Sequence, residues 1–113
     1  MQQKVKTDRK VILHGGSASA EAHLVDLSIS GIGVTSSRGA KVGTELDAEF
    51  EVPALQRFIT FKIHGKVTHR HNVGDEIYLH IEFMHMTHEE KTALQDFIDY
   101  KQRLSQSSKR TFD

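Results

Sequence analysis

Thr44-Glu45-Leu46-Asp47-Ala48-Glu49-Phe50-Glu51-Val52 decides the fold, because apolar and acidic residues alternate along it without a break. A period of two is the spacing of a pleated strand, so Leu46, Ala48, Phe50 and Val52 line a buried face while Glu45, Asp47, Glu49 and Glu51 line a solvated one. Moving toward the C-terminus, Phe58 to His69 repeats the pattern, with Ile59, Phe61, Ile63 and Val67 inward and Thr60, Lys62, His64, Lys66 and Thr68 outward. Gly65 falls on the inward register there, which predicts a bend or bulge where the sheet curls. Glu76 to Phe83 is a third clear strand, with Ile77, Leu79, Ile81 and Phe83 inward and Tyr78, His80 and Glu82 outward. The link His71-Asn72-Val73-Gly74-Asp75 carries turn chemistry and predicts a hairpin between the last two strands. Pro53 is expected to end the Thr44 strand, leaving a wider connection through Gln56.

Moving toward the N-terminus, Gly31 to Thr35 and Ala22 to Leu27 read as strands, and Val11 to His14 as a shorter one, with Gly15 to Ala20 as a small-residue loop. The count is six. Thr87 followed by Glu90 is a capping box, and Leu94, Phe97, Ile98, Lys101 and Leu104 then recur at helical spacing, so one amphipathic helix is expected to lay its stripe on an open side of the sheet. Six short antiparallel strands and a terminal helix predict an all-β barrel, closed or nearly closed, with a C-terminal α-helix.

At 113 residues the chain is sized for one core. A single domain over 1–104 is expected, with a basic flexible arm at 1–10 and a disordered tail at 105–113. The absence of cysteine removes disulfides and thiolate zinc sites and fits a reducing, cytoplasmic setting. No apolar run is long enough to span a bilayer, so no membrane insertion is expected. Fifteen basic residues balance fifteen acidic ones, so no global field draws the chain to nucleic acid. The local exception is the N-terminus, where Lys4, Lys6, Arg9 and Lys10 face only Asp8.

Residue chemistry argues against an enzyme. The eight histidines include the pairs His69/His71 and His85/His88, yet no third ligand or HExxH context joins them, and surface histidines near turns account for both. No metal or cofactor is expected. Ser28 and Ser30 lack a GxSxG setting, and the carboxylate pairs Glu49/Glu51 and Glu89/Glu90 are explained by strand alternation and helix-dipole placement. The segment Val25 to Val34 is more informative. Asp26 and Ser28 share one strand face, and Gly31 lets the chain bend directly afterwards. A carboxylate beside a hydroxyl suits the N1–H and N2–H₂ edge of guanine, although a β-turn closed by an Asp-Ser hydrogen bond presents the same residues.

Asp26-x-Ser28-x-x-Gly31 matches the DxSxxG motif of PilZ domains, the bacterial receptors for cyclic di-GMP. The chain resembles that family from Val11 to Arg103: Val42-Gly43-Thr44-Glu45-Leu46 is similar to its turn into a long strand, Gly65-Lys66-Val67 to its "GxV" strand, and Leu79-His80-Ile81-Glu82-Phe83 to the strand ending in Phe. The resemblance implies a six-stranded antiparallel PilZ-like β-barrel with a C-terminal helix, and guanine contacts from Asp26, Ser28 and Gly31. It also implies an RxxxR motif ahead of the barrel, which is degenerate here: Arg9 has Leu13 four residues on, and the nearest match is Lys6-Thr7-Asp8-Arg9-Lys10. Lys6, Arg9 and Lys10 are therefore the expected cations, although lysine offers a point charge where arginine offers a flat fork. His80 stands where the family usually carries glycine. The implied function is a cyclic di-GMP-binding single-domain effector or adaptor, whose interaction surface for a partner in motility, pilus or exopolysaccharide machinery changes when nucleotide binds. The alternative is a degenerate PilZ-like interaction module that works without nucleotide.

Overall fold

Alternating residues with β-branched and aromatic inward positions favour strands, and six form: β1 (Val5–Gly15), β2 (Ala18–Ser28), β3 (Gly31–Ser36), β4 (Glu45–Ala54), β5 (Arg57–Val73) and β6 (Glu76–Phe83), followed by helix α1 (His88–Arg110). The structure, a computed structural model, describes residues 4–110, with side chains through residue 104. All neighbouring strands are antiparallel, and the order β1-β2-β3-β6-β5-β4 closes into a barrel because β4 pairs back onto β1. Each strand therefore has two neighbours, with β1 and β4 paired over the short stretch where Val11, Ile12, Leu13 and His14 meet Phe50, Glu49, Ala48 and Asp47.

The inward residues make one core. Val11, Leu24, Ile32, Val34, Ala48, Val52, Val67 and Ile81 are fully enclosed, and Phe50 stacks on its cross-strand partner Phe61 with ring centres 5.4 Å apart. The helix adds Ala93, Leu94, Phe97 and Ile98 to the same cluster and packs against β4 and β1. Its start is fixed by the expected capping box: Thr87 N–H donates to Glu90 Oε1 at 2.9 Å, and Glu90 N–H donates to Thr87 Oγ at 3.1 Å.

Several expectations need correction. The basic arm is strand from Val5 onward, because Val5 is buried and pairs with Leu27 while the neighbouring charges point outward. The helix continues to Arg110, so most of the expected tail is helical; residues 111–113 and 1–3 lie outside the described residues. Leu104 leaves the apolar stripe at 46% exposure. The helix lies against β4 and β1, the two strands joined by the short closing ladder. Gly15 to Ala20 is a tight hairpin turning at Gly16, which holds a φ of 56°. Gly65 is no bulge. It keeps regular pairing with Leu46 and Phe83, and a methyl group there would press on Ile81 Cγ2 at 2.7 Å and Glu82 O at 2.8 Å.

Pro53 does not stop β4. The strand runs on to Ala54 and reverses through Leu55 and Gln56, whose φ values of 53° and 65° are those of a two-residue mirror-image turn. Neither residue is one that adopts this region freely, and the turn is held from outside by α1, where the Asp96 carboxylate accepts the Leu55 N–H at 2.9 Å.

The acidic face of β4 is hydrogen-bonded by its neighbours. His64 on β5 bridges Glu45 at 2.9 Å and Asp47 at 2.7 Å, and His14 on β1 bonds Glu49 at 2.7 Å. The bonds to Glu45 and Asp47 raise the His64 pKa above its ordinary 6.5, and the bond to His64 lowers that of Glu45 below 4.5.

Two outcomes are expected. Replacing the turn with Leu55→Asn/Gln56→Gly should stabilise the protein by about 1 kcal/mol, raising the thermal midpoint by about 4–8 °C; an unchanged midpoint would show that the turn carries no strain. Because the folded His64 pKa is raised, the stabilisation it gives is present below pH 6.5 and fades as pH rises through the folded value. Melting curves of wild type and His64→Ala should therefore differ most near pH 5.5 to 6 and converge in alkaline buffer.

Candidate functional site

Three register shifts occur in the sheet, and all three flank one row of residues. They lie between Lys6 and Arg9 on β1, between Leu24 and Asp26 on β2, and between Val67 and His69 on β5. The row they border crosses five strands as Lys6, Asp26, Gly33, His80 and His69, each aligned with the next. Bulges re-aim side chains, and that is their effect here. Leu24 points into the core, so unbroken alternation would bury Asp26; the extra residue Val25 turns Asp26 outward and Leu27 inward. Thr68 does the same on β5. It carries His69 and His71 to the outer face, opposite His80 and Tyr78.

Gly33 lies at the middle of the row, and its missing side chain is what lets two polar groups meet. A methyl group there would coincide with Tyr78 Oη and the Asp26 carboxylate. The Tyr78 hydroxyl donates to Asp26 Oδ2 at 2.9 Å, and burial followed by this bond pushes its pKa up to about 12. Asp26 Oδ1 is enclosed and receives no hydrogen bond among the described residues. The Lys4 ammonium stands 3.9 Å from that oxygen, and Lys6 is Asp26's cross-strand neighbour. His80 sits beside them with a lowered pKa, caused first by burial and then by the Lys4 charge.

The other expected site residues go elsewhere. Ser28 is 5% exposed and serves its own turn, accepting the Ser30 N–H at 3.3 Å and donating to Gly31 O at 3.4 Å. Gly31 is required by the sheet, since a methyl group would lie 2.5 Å from Ile81 O on β6. Arg9 Nε donates to Glu51 O at 2.6 Å on the β4 side, and Lys10 pairs with Glu21 at 3.9 Å. Arg9 and Lys10 line two shallow clefts, neither of which includes Asp26. The row thus brings Lys6 and Asp26 together, adds Lys4, Gly33, Tyr78 and His80, and leaves Arg9 and Lys10 outside. No group of three or more metal-ligating His, Asp or Glu side chains is gathered among the described residues, and no described helix is long and apolar enough to cross a membrane.

A family model described as the PilZ domain matches residues 2–100. The chain belongs to the PilZ domain family. Among solved structures, this PilZ domain is similar to YcgR from Escherichia coli in complex with c-di-GMP, with a TM-score of 0.81 and 13% identity over 99% of this chain and 50% of that one. The isolated PilZ domain of YcgR with c-di-GMP gives 0.73 and 12% over 96% of this chain and 95% of that one. The Bacillus subtilis inhibitor of motility MotI/DgrA gives 0.79 and 13% over 95% and 51%. The chain therefore spans about half the length of YcgR and MotI/DgrA. No curated protein matches it.

The link between Asp26 and Tyr78 has a direct readout. In a Tyr100→Phe background Tyr78 is the only tyrosine left, and its phenol should ionise near pH 12. Asp26→Ala should lower that value while leaving it above the ordinary 10, because burial is the larger cause. An unchanged alkaline titration would mean that the hydrogen bond is not made.

Proposed function

We propose that this PilZ domain binds cyclic di-GMP on the outer face of β1, β2, β3 and β6, and acts as a receptor rather than a catalyst. The observation that supports this reading most is Asp26 Oδ1, an enclosed carboxylate oxygen without a hydrogen-bond donor among the described residues. A carboxylate oxygen that takes no hydrogen bond keeps acceptor capacity, and a guanine edge offers N–H donors of the matching kind. Lys4 and Lys6 stand where ligand phosphates would meet positive charge, and the glycine at position 33 keeps the floor of the site low. YcgR structures carrying c-di-GMP support the ligand class, and MotI/DgrA, an inhibitor of motility, supports a partner in motility machinery. In this reading the bound nucleotide covers the β1–β2 wall and changes the surface offered to such a partner, in a cytoplasmic setting.

A second reading has a specific observation behind it: Arg9 is committed to the Glu51 carbonyl and Ser28 to its own turn, so two expected contacts are already spent. A domain in that state serves as a nucleotide-independent interaction module.

Calorimetric titration with cyclic di-GMP separates the two. The receptor reading expects saturable binding that weakens by about ten-fold or more in Asp26→Ala and in Lys4→Ala/Lys6→Ala, since charge-assisted hydrogen bonds are worth about 1.5–3 kcal/mol each. Arg9→Ala should bind as wild type does. No heat at high micromolar ligand, or equal binding by wild type and Asp26→Ala, would leave only the interaction module.

A further inference from the structure

Beyond Asp26, the same face holds a set of aromatic rings that neither motif accounts for. His71 and Tyr78 are cross-strand partners whose rings stack with centres 4.8 Å apart at 23°, and His69 meets His71 edge-on at 5.3 Å. His69 and His71 are exposed, so these rings are no part of the core. They reach the outer face only through the register shift at Thr68, since alternation from Val67 would otherwise turn them inward. Tyr78 is pinned at its other end by the bond to Asp26, which makes Asp26, Tyr78, His71 and His69 one chain of direct contacts. Three rings held together on a solvated strand face, with His71 face to face with Tyr78 and edge-on to His69, form a preorganised aromatic cluster anchored through the Tyr78 hydroxyl.

We propose that His69, His71 and Tyr78 form a stacking subsite for a purine ring of the nucleotide whose edge Asp26 holds. This rests on the receptor reading above and deepens it. Stacking on aromatic side chains needs no particular hydrogen-bond pattern, and it is the one contribution that Lys4 and Lys6 do not supply, because an ammonium offers a point charge and no plane. The rings stand on β5 and β6, across the site from β1, so ligand is held from both sides of Gly33.

The test is titration of cyclic di-GMP into wild type, His71→Ala, His71→Phe and Asp26→Ala, each checked for native circular dichroism. His71 is exposed, so neither substitution removes core packing. The subsite expects His71→Ala to weaken binding by about ten-fold and His71→Phe, which keeps a ring, to stay within about three-fold of wild type. If wild type and His71→Ala bind alike while Asp26→Ala is impaired, the stacking subsite is wrong and the receptor reading stands. If His71→Ala and His71→Phe are equally impaired, the imidazole acts through its nitrogens and stacking is again overturned. If wild type takes up no ligand at all, the receptor reading fails and the subsite falls with it.

Discussion

Closure of the sheet is the constraint from which the rest follows. In a barrel with every strand paired on both sides, an inward or outward choice at one residue is imposed on the aligned residue of each neighbour. A charge on the wrong parity cannot be moved out by sliding one strand, since the slip would turn every other side chain with it. The chain resolves this by inserting single residues. Over one step of the ladder β3 advances one residue, from Gly33 to Val34, while β2 takes two, from Leu24 to Asp26, and β1 takes three, from Lys6 to Arg9. The wall fans out at that level, and the polar residues brought outward by it are those that gather around Gly33.

Much of the architecture was legible because the inward residues announce themselves. Leu46 to Val52, Phe61 to Val67 and Leu79 to Ile81 alternate cleanly and are buried as their spacing implies. The capping box at Thr87 and Glu90 was equally plain, because it rests on local hydrogen bonds that need no knowledge of the fold. The first strand was harder. Val5 is a single apolar residue among lysines, and its burial depends on a partner, Leu27, more than twenty positions away. The turn at Leu55 and Gln56 was hidden for a related reason: beside the pairing of Ala54 with Arg57, its support comes from Asp96 on the distant helix.

The site was legible only in part. Asp26 stood out by its spacing to Ser28 and Gly31, but that spacing does not reveal that Ser28 is spent on its own turn or that Gly31 is needed for the approach of β6. Gly33, Tyr78 and His80 carried no motif of their own, because their association depends on β3 lying next to β6, a neighbour relation between segments more than forty residues apart. Periodicity placed Tyr78 and His80 on the outer face but gave no reason to group them with Asp26. His69 and His71 were read as surface histidines, but the bulge that sets them opposite His80 and Tyr78 leaves no mark in residue type.

Closure of the sheet also bears on how stiff such a domain is. An open sheet can recruit another strand or let a terminal strand peel away, whereas here every strand is held by a neighbour on each side. The wall therefore behaves as a stiff hoop. The parts that lie outside this hoop are the side chains of its outer face, the hairpin tips and the helix leaning against β4 and β1.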